Sequence, residues 1–158
     1  MSYVFFWSTK DKPYGCFSNW YRSPFVTEDG NQFANTEQYF MWRKAKLFDP
    51  SMESAILAEK NPMKVKGLGR KVKNFDNDVW NEHREKCMKD GLRYKFSDPA
   101  LKEILLSTND SIIAEASPRD KIWGIGLAAD HTDAINPNKW RGQNLLGKCL
   151  MELRVEMQ

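Results

Sequence analysis

The segment Glu37-Gln-Tyr-Phe-Met-Trp-Arg-Lys44 sets a carboxylate and an amine seven residues apart. Asn35 and Thr36, just before it, are both good helix N-caps, and the pattern predicts a helix running through Phe48. Seven residues make nearly two helical turns, so Glu37 and Lys44 share a face with Phe40, Met41 and Phe48. Partial burial raises a Glu pKa and lowers a Lys pKa, which suits acid–base or nucleophilic work. A plainer reading fits the same residues. The pair could be the solvated rim of an amphipathic helix, with Glu37 favouring its positive N-terminal end. Helix geometry leaves both open.

Three further segments carry reactive or binding side chains. Lys60, Lys64, Lys66, Arg70, Lys71 and Lys73 form a basic run with no acid between its ends, and Gly67 and Gly69 inside it permit close backbone approach. Such a run is a phosphate site with Arg70 as forked donor, or a solvated charged face. In Ile112–Gly126, Glu115 interrupts an apolar strand, and Asp120, Trp123 and Gly124 follow in a Gly/Pro loop. Two acids and an indole there could hold a polar ligand against a ring, or simply shape a turn. Phe17-Ser18-Asn19-Trp20 is a short polar–aromatic loop whose Ser18 and Asn19 could pair a base edge, and Trp80 could stack or pack.

Other chemistries lack their signatures. There is no P-loop run, and Gly67-Leu-Gly69 and Gly124-Ile-Gly126 are too short for a dinucleotide fingerprint. His83 and His131 lie far apart and outside any Cys/His metal spacing, which argues against a zinc site or a Ser-His-Asp triad. No cofactor or metal is expected.

The elements that must position these residues are mostly helical. Val4–Trp7 reads as a short buried strand, and Glu28-Asp29-Gly30-Asn31 marks a hairpin between Phe25-Val26 and Phe33. After the helix to Phe48, further helices are predicted over 51–59, from Asn61-Pro62, over 78–96, from Asp98-Pro99 to Leu106, and from Asn144 to the end. Ser111–Ser117 has β character. The expectation is one α+β domain over 1–158, mainly helical with a small, mostly antiparallel β-sheet. A net charge of +3 favours an anionic partner somewhere. Three cysteines, no apolar run of membrane-spanning length and no signal-peptide pattern fit a cytoplasmic protein without membrane attachment.

Taken in order, these segments resemble the YbiA-like or NADAR (NAD- and ADP-ribose-associated) family. The matching pieces are Phe17-Ser18-Asn19, Glu37-Gln-Tyr-Phe40 with Lys44, Gly69-Arg70, Trp80, Met88 and Lys95-Phe96. They continue with Leu105–Thr108, Glu115, Asp120, Trp123-Gly124, Asn144–Gly147 and Leu150–Arg154. The resemblance implies an N-glycosidase that cleaves between ribose C1 and an amino group on a heterocycle. It implies two substrate classes: ADP-ribose on the amino group of guanine, and ribosylamino-pyrimidine phosphates of riboflavin synthesis. It makes Glu37 a catalytic carboxylate and Lys44 a catalytic-site amine, adds Asp120 to the catalytic set, and makes Ser18, Asn19, Trp80, Glu115, Trp123 and Gly124 pocket residues and Arg70 a phosphate ligand. The implied partner is a ribose-phosphate or ADP-ribosyl small molecule or ADP-ribosylated nucleic acid, with a functional link to a DarT-type toxin. A non-catalytic NAD or ADP-ribose binding module would use the same residues. Some relatives carry an acid after Trp-Gly, where this chain has Ile125, so any role resting on that acid is void here.

Overall fold

The computed structural model describes all 158 residues. In chain order its elements are β1 (Tyr3–Phe6), β2 (Phe25–Val26), β3 (Gln32–Phe33), α1 (Thr36–Phe48), α2 (Glu53–Ala58), α3 (Pro62–Arg70), α4 (Asn77–Lys95), α5 (Pro99–Leu106), β4 (Ile112–Glu115) and α6 (Leu145–Met157). The class is α+β, with helix dominant. The strands form two separate pairs of opposite sense rather than one sheet: β2 with β3 antiparallel, β1 with β4 parallel. A parallel partner needs a long crossover, and the whole stretch between Phe6 and Ile112 supplies it. The first strand starts at Tyr3 and stops before Trp7, which is exposed. No helix is long and apolar enough to cross a membrane.

The chain divides into two compact units, Asn19–Ser97 and Met1–Ser18 with Asp98–Gln158. In the first, α1 is the central element. Asn35 caps it by accepting from the Gln38 amide at 2.8 Å, and Gln38 Oε1 accepts from the Ala34 amide at 2.7 Å. The first bond satisfies a backbone donor that a helix start leaves without a partner, and the second ties down the amide just before the cap. Gln38 Nε2 donates to the Ile56 and Leu57 carbonyls, which ties the end of α2 to the start of α1. Tyr39, Phe40, Met41, Trp42 and Ala45 are all buried, so α1 is apolar on nearly every side. Two glycines let neighbouring helices close on it. A Cβ on Gly69 of α3 would sit 2.1 Å from Met41 Sδ, and one on Gly91 of α4 would sit 2.7 Å from a Tyr39 ring carbon. Gly91 costs helix propensity, yet α4 runs through it unbroken because the packing requires its lack of a side chain.

In the second unit β1 and β4 pair from Tyr3↔Ile112 to Phe6↔Glu115, and α6 lies along β4. A Cβ at Gly147 would meet the Ile113 carbonyl oxygen at 2.1 Å, so only glycine lets the first turn of α6 rest on the strand. Leu146, Leu150 and Leu153 form the buried stripe of α6, while Met157 is half-buried. Ala114, Ala116, Ile125, Leu127 and Ala134 cluster as a core against Phe5 and Trp140.

Candidate active site

The residues singled out from the sequence divide between the two units, and each group is described within its own. Asn19, Glu37, Lys44, Arg70 and Trp80 lie in Asn19–Ser97. Ser18, Glu115, Asp120, Trp123 and Gly124 lie in the other unit.

Lys44 departs most from a solvated rim. A rim lysine extends its ammonium to water. Lys44 is half-buried, and its Nζ donates to the Gly69 carbonyl at 2.9 Å. The same nitrogen stands 4.7 Å from the centre of the Phe75 ring. Phe75 meets Phe48 edge-on, Phe48 meets Trp80, and Trp80 meets Phe40, so the amine sits at the margin of an aromatic frame. Burial pushes the Lys44 pKa below the ordinary lysine value, and the negative charge of Glu37 opposes that shift without cancelling it. Glu37 and Lys44 therefore feel each other, as the helical spacing predicted. The amine is easier to deprotonate than a surface lysine, which is what a nucleophile or a base requires.

Asn19 holds the start of α1 beside Glu37. Its carbonyl accepts from the Glu37 amide at 3.0 Å, and its Oδ1 accepts from the Thr36 hydroxyl at 2.8 Å. The side chain singled out for base pairing is thus engaged with α1. Trp80 is buried in the aromatic frame, and Arg70 is exposed at the last turn of α3. Gly69, expected to admit a close ligand, instead admits Met41 and offers its carbonyl to Lys44.

In the other unit the loop after β4 is a set of backbone bonds. Asp120 Oδ1 accepts from the amides of Ile122 and Trp123, at 3.0 and 2.8 Å, and Ser117 Oγ accepts from the Asp120 amide. That oxygen shapes the turn, the plainer of the two roles its sequence allowed. Gly124 is required by close approach, since a Cβ there would lie 2.9 Å from the Glu115 carbonyl and 3.0 Å from that of Asp120. The Glu115 carbonyl accepts from the Ile125 amide, and the Trp123 carbonyl from the Leu146 amide in the first turn of α6. Glu115 is half-buried at the end of β4, Trp123 is half-buried and Ser18 is buried. Ile125, which stands where some relatives have an acid, is fully buried in the alanine-rich core. No three His, Cys, Asp or Glu side chains are grouped as a metal site.

Two residues, one in each unit, support these groups and were missed by the sequence reading. Phe75 is a lone aromatic in the polar stretch Asn74–Asp78, which is the signal that could have found it. Asn144 has a left-handed backbone, φ 54°, and a side chain that bridges two groups of β4. Its Oδ1 accepts from the Glu115 amide at 3.1 Å and its Nδ2 donates to the Ile113 carbonyl at 2.9 Å.

Comparison with known proteins decides the family. The NADAR domain model matches residues 5–158. The chain belongs to the NADAR family. It is 42% identical to N-glycosidase R617 of Acanthamoeba polyphaga mimivirus, over 99% of this chain and 96% of that protein. It is 32% identical to N-glycosidase YbiA of Shigella flexneri, over 96% of this chain and 86% of the relative. The solution structure of Escherichia coli YbiA superimposes with a TM-score of 0.79 at 31% identity, over 98% of this chain and 84% of that one. The NADAR chain is accordingly an enzyme of the N-glycosyl hydrolase class.

Proposed function

We propose that this enzyme hydrolyses the bond between ribose C1 and an exocyclic amino nitrogen of a heterocycle, with ADP-ribosylated guanine as the substrate class. Riboflavin-pathway ribosylamino-pyrimidine phosphates carry the same bond and are the second class to test. The observation that carries the reading is Lys44: a half-buried amine on a carbonyl oxygen, with its pKa lowered by burial and Glu37 on the same helix face.

The chemistry follows from those two groups. A proton delivered to the ring oxygen, with Glu37 as donor, breaks the C1–O4′ bond and leaves C1 doubly bonded to the heterocycle's nitrogen. Neutral Lys44 adds to C1, the heterocyclic amine departs with a proton, and a lysine–sugar Schiff base remains. Water adds to C1 and expels Lys44, so that the net change is one water consumed and one C1–N bond cut. Phe75 and Gly69 hold the amine in place through this sequence. The exposed fork of Arg70 is suited to a substrate phosphate.

The test is incubation with ADP-ribosylated guanosine and, separately, with the ribosylamino-pyrimidine phosphate, followed by detection of the released base. Borohydride added during turnover should attach the sugar to Lys44. Release of neither base would overturn the substrate reading. Turnover with no adduct on Lys44 would overturn the Schiff base and favour direct displacement by water.

A further inference from the structure

A cavity of about 540 Å³ lies within the Asn19–Ser97 unit, bounded by the β2–β3 turn, α1 and α4. Neither Glu37 nor Lys44 borders it. From α1 it takes Tyr39, Trp42, Arg43 and Lys46. At about 100° per residue these centre roughly 180° around the helix from Glu37 and Lys44. The volume falls in the range of small-molecule sites, roughly 300–1,000 Å³.

The walls are aromatic, and the hydrogen-bonding groups left open on α1 are donors. Tyr39 stands 5.9 Å from both Trp42 and Tyr94 between ring centres. Arg43 is held by one nitrogen only. Its Nη1 donates to Asp90 at 2.8 Å and to the Tyr39 hydroxyl at 2.7 Å. Nε and Nη2 make no hydrogen bond, and neither is sealed from solvent. Together they form the side edge of the guanidinium, which takes a carboxylate or phosphate through two parallel bonds. Asp90 thus fixes the fork without filling it. Lys46 lies over the Trp42 ring at 5.0 Å and forms no ion pair, so a second cation stands on the same wall. The Trp42 indole N–H is buried without an acceptor, where a buried indole ordinarily has one. The acids of the turn leave this donor surplus in place. Asp29 accepts from the Thr27 hydroxyl and from Asn31 Nδ2, so its oxygens serve the turn, and Glu28 is exposed.

We propose that this cavity is a binding site, separate from the Lys44 site, for a planar aromatic ligand carrying one carboxylate or phosphate group. The oxyanion lies on Nε and Nη2 of Arg43, with Lys46 adding charge, and the ring lies against Tyr39, Trp42 and Tyr94. An anion without a ring would leave the walls uncovered. A ring without an anion would leave the Arg43 fork unmet. The site does not depend on the reaction proposed at Lys44.

The experiment uses the full chain, with indole-3-acetate and phenyl phosphate as probes. Tryptamine, which has the indole ring but a cationic arm, is the control. In proton–nitrogen NMR spectra the shifts should centre on the Trp42 indole N–H, the Arg43 Nε–H and the Asp29 amide. Arg43→Lys keeps a cation for Asp90 but removes the fork. It should weaken both probes roughly ten- to hundredfold, the worth of one charged hydrogen bond. Lys46→Glu should weaken both severalfold, and Glu28→Gln should strengthen both. These two changes are at exposed positions and leave the Asp90 pair intact, so they test the site even if Arg43→Lys does not fold. Glu37→Gln should bind both probes as wild type does, because its side chain lies across the helix. Tighter binding of indole-3-acetate assigns a carboxylate ligand, and tighter binding of phenyl phosphate a phosphate one. The proposal is overturned by tryptamine binding as tightly as indole-3-acetate, by shifts centred on Glu37 and Gly69, or by affinities unchanged in both Lys46→Glu and Glu28→Gln. Failure of wild type to bind either probe at millimolar concentration overturns it as well.

Discussion

Replacing Asn144 probes how the loop carrying Glu115 and Trp123 is fixed. The residue is 3% exposed, and its side chain satisfies the Glu115 amide and the Ile113 carbonyl at once. Asn144→Gly keeps a residue that tolerates positive φ but leaves both backbone groups without this partner. Each buried group so deprived costs about 1–3 kcal/mol, or about 2–6 kcal/mol for the pair. Asn144→Ala loses the same bonds and adds the left-handed cost of about 1–2 kcal/mol. Glycine's extra freedom in the unfolded chain takes back about 0.4–1 kcal/mol of that difference. The alanine variant should therefore be the less stable of the two, by up to about 1.6 kcal/mol. At about 2–4 °C per kcal/mol, Asn144→Gly should lower Tm by roughly 4–24 °C. Amide exchange followed by NMR gives the local readout. The Glu115 amide should lose protection in Asn144→Gly, while the Ala116 amide, bonded to the Phe6 carbonyl at 2.8 Å, should keep more of its own. A glycine variant as stable as wild type, or an alanine variant more stable than the glycine one, would refute this account.

Glu37→Gln keeps the shape of the site but removes its acid. It should lower kcat by roughly 10²–10⁴ with KM little changed, and steady-state kinetics on the preferred substrate decides this. Lys44 must be neutral to attack, so kcat/KM should rise with pH through a group whose midpoint lies below the ordinary lysine range, because burial lowers it. In Glu37→Gln the opposing charge is gone, so any residual activity should show that midpoint displaced further down. An upward displacement would contradict the assignment. Asp90 binds Arg43 at 2.8 Å and both Lys86 and Arg93 at 2.9 Å, with its side chain 20% exposed. Asp90→Asn should cost about 1–3 kcal/mol at neutral pH. Burial pushes the Asp90 pKa up, but hydrogen bonds from Lys86 and Arg43 outweigh it and hold the value down. Its stabilisation is thus full above the unfolded value of about 3.9 and is lost as pH falls through the folded one. Urea titrations of wild type and Asp90→Asn should converge in acid.

Local signals were legible and distant ones were not. Asn35 and Asn61-Pro62 announce the starts of α1 and α3 because capping is decided within four residues. The start of α4 moved by one residue, since Asp76, Asn77 and Asp78 can all cap and Asp76 does so. The Glu37–Lys44 face followed from helical pitch. The reason Lys44 is half-buried did not, because it depends on Gly69, 25 residues away, meeting Met41 with no side chain between. Parallel pairing of β1 with β4 was likewise hidden, as nothing in Val4–Phe6 names a partner at residue 113. Asp120 shows the converse limit. Its type and its Gly/Pro surroundings fit a ligand or a turn equally, and only the two amides on Oδ1 reveal the turn.

Arg43 and Lys44 show why one cation of α1 is available for chemistry and its neighbour is not. Adjacent on the helix, they point about 100° apart and meet different partners. Arg43 is also half-buried, but one of its terminal nitrogens donates to Asp90 and to the Tyr39 hydroxyl. Burial works against its charge, the Asp90 bond overcomes it, and its pKa is held above the ordinary arginine value. That cation is structural. Lys44 suffers comparable burial, yet its hydrogen bond goes to a neutral carbonyl and its ring contact is to Phe75. Neither repays desolvation as a carboxylate in contact would, so the Lys44 pKa falls where that of Arg43 rises. A salt bridge at Lys44 would stabilise the charge and silence the amine. Leaving Glu37 within electrostatic reach, yet too weak to reverse the shift, keeps a proton that can be given up.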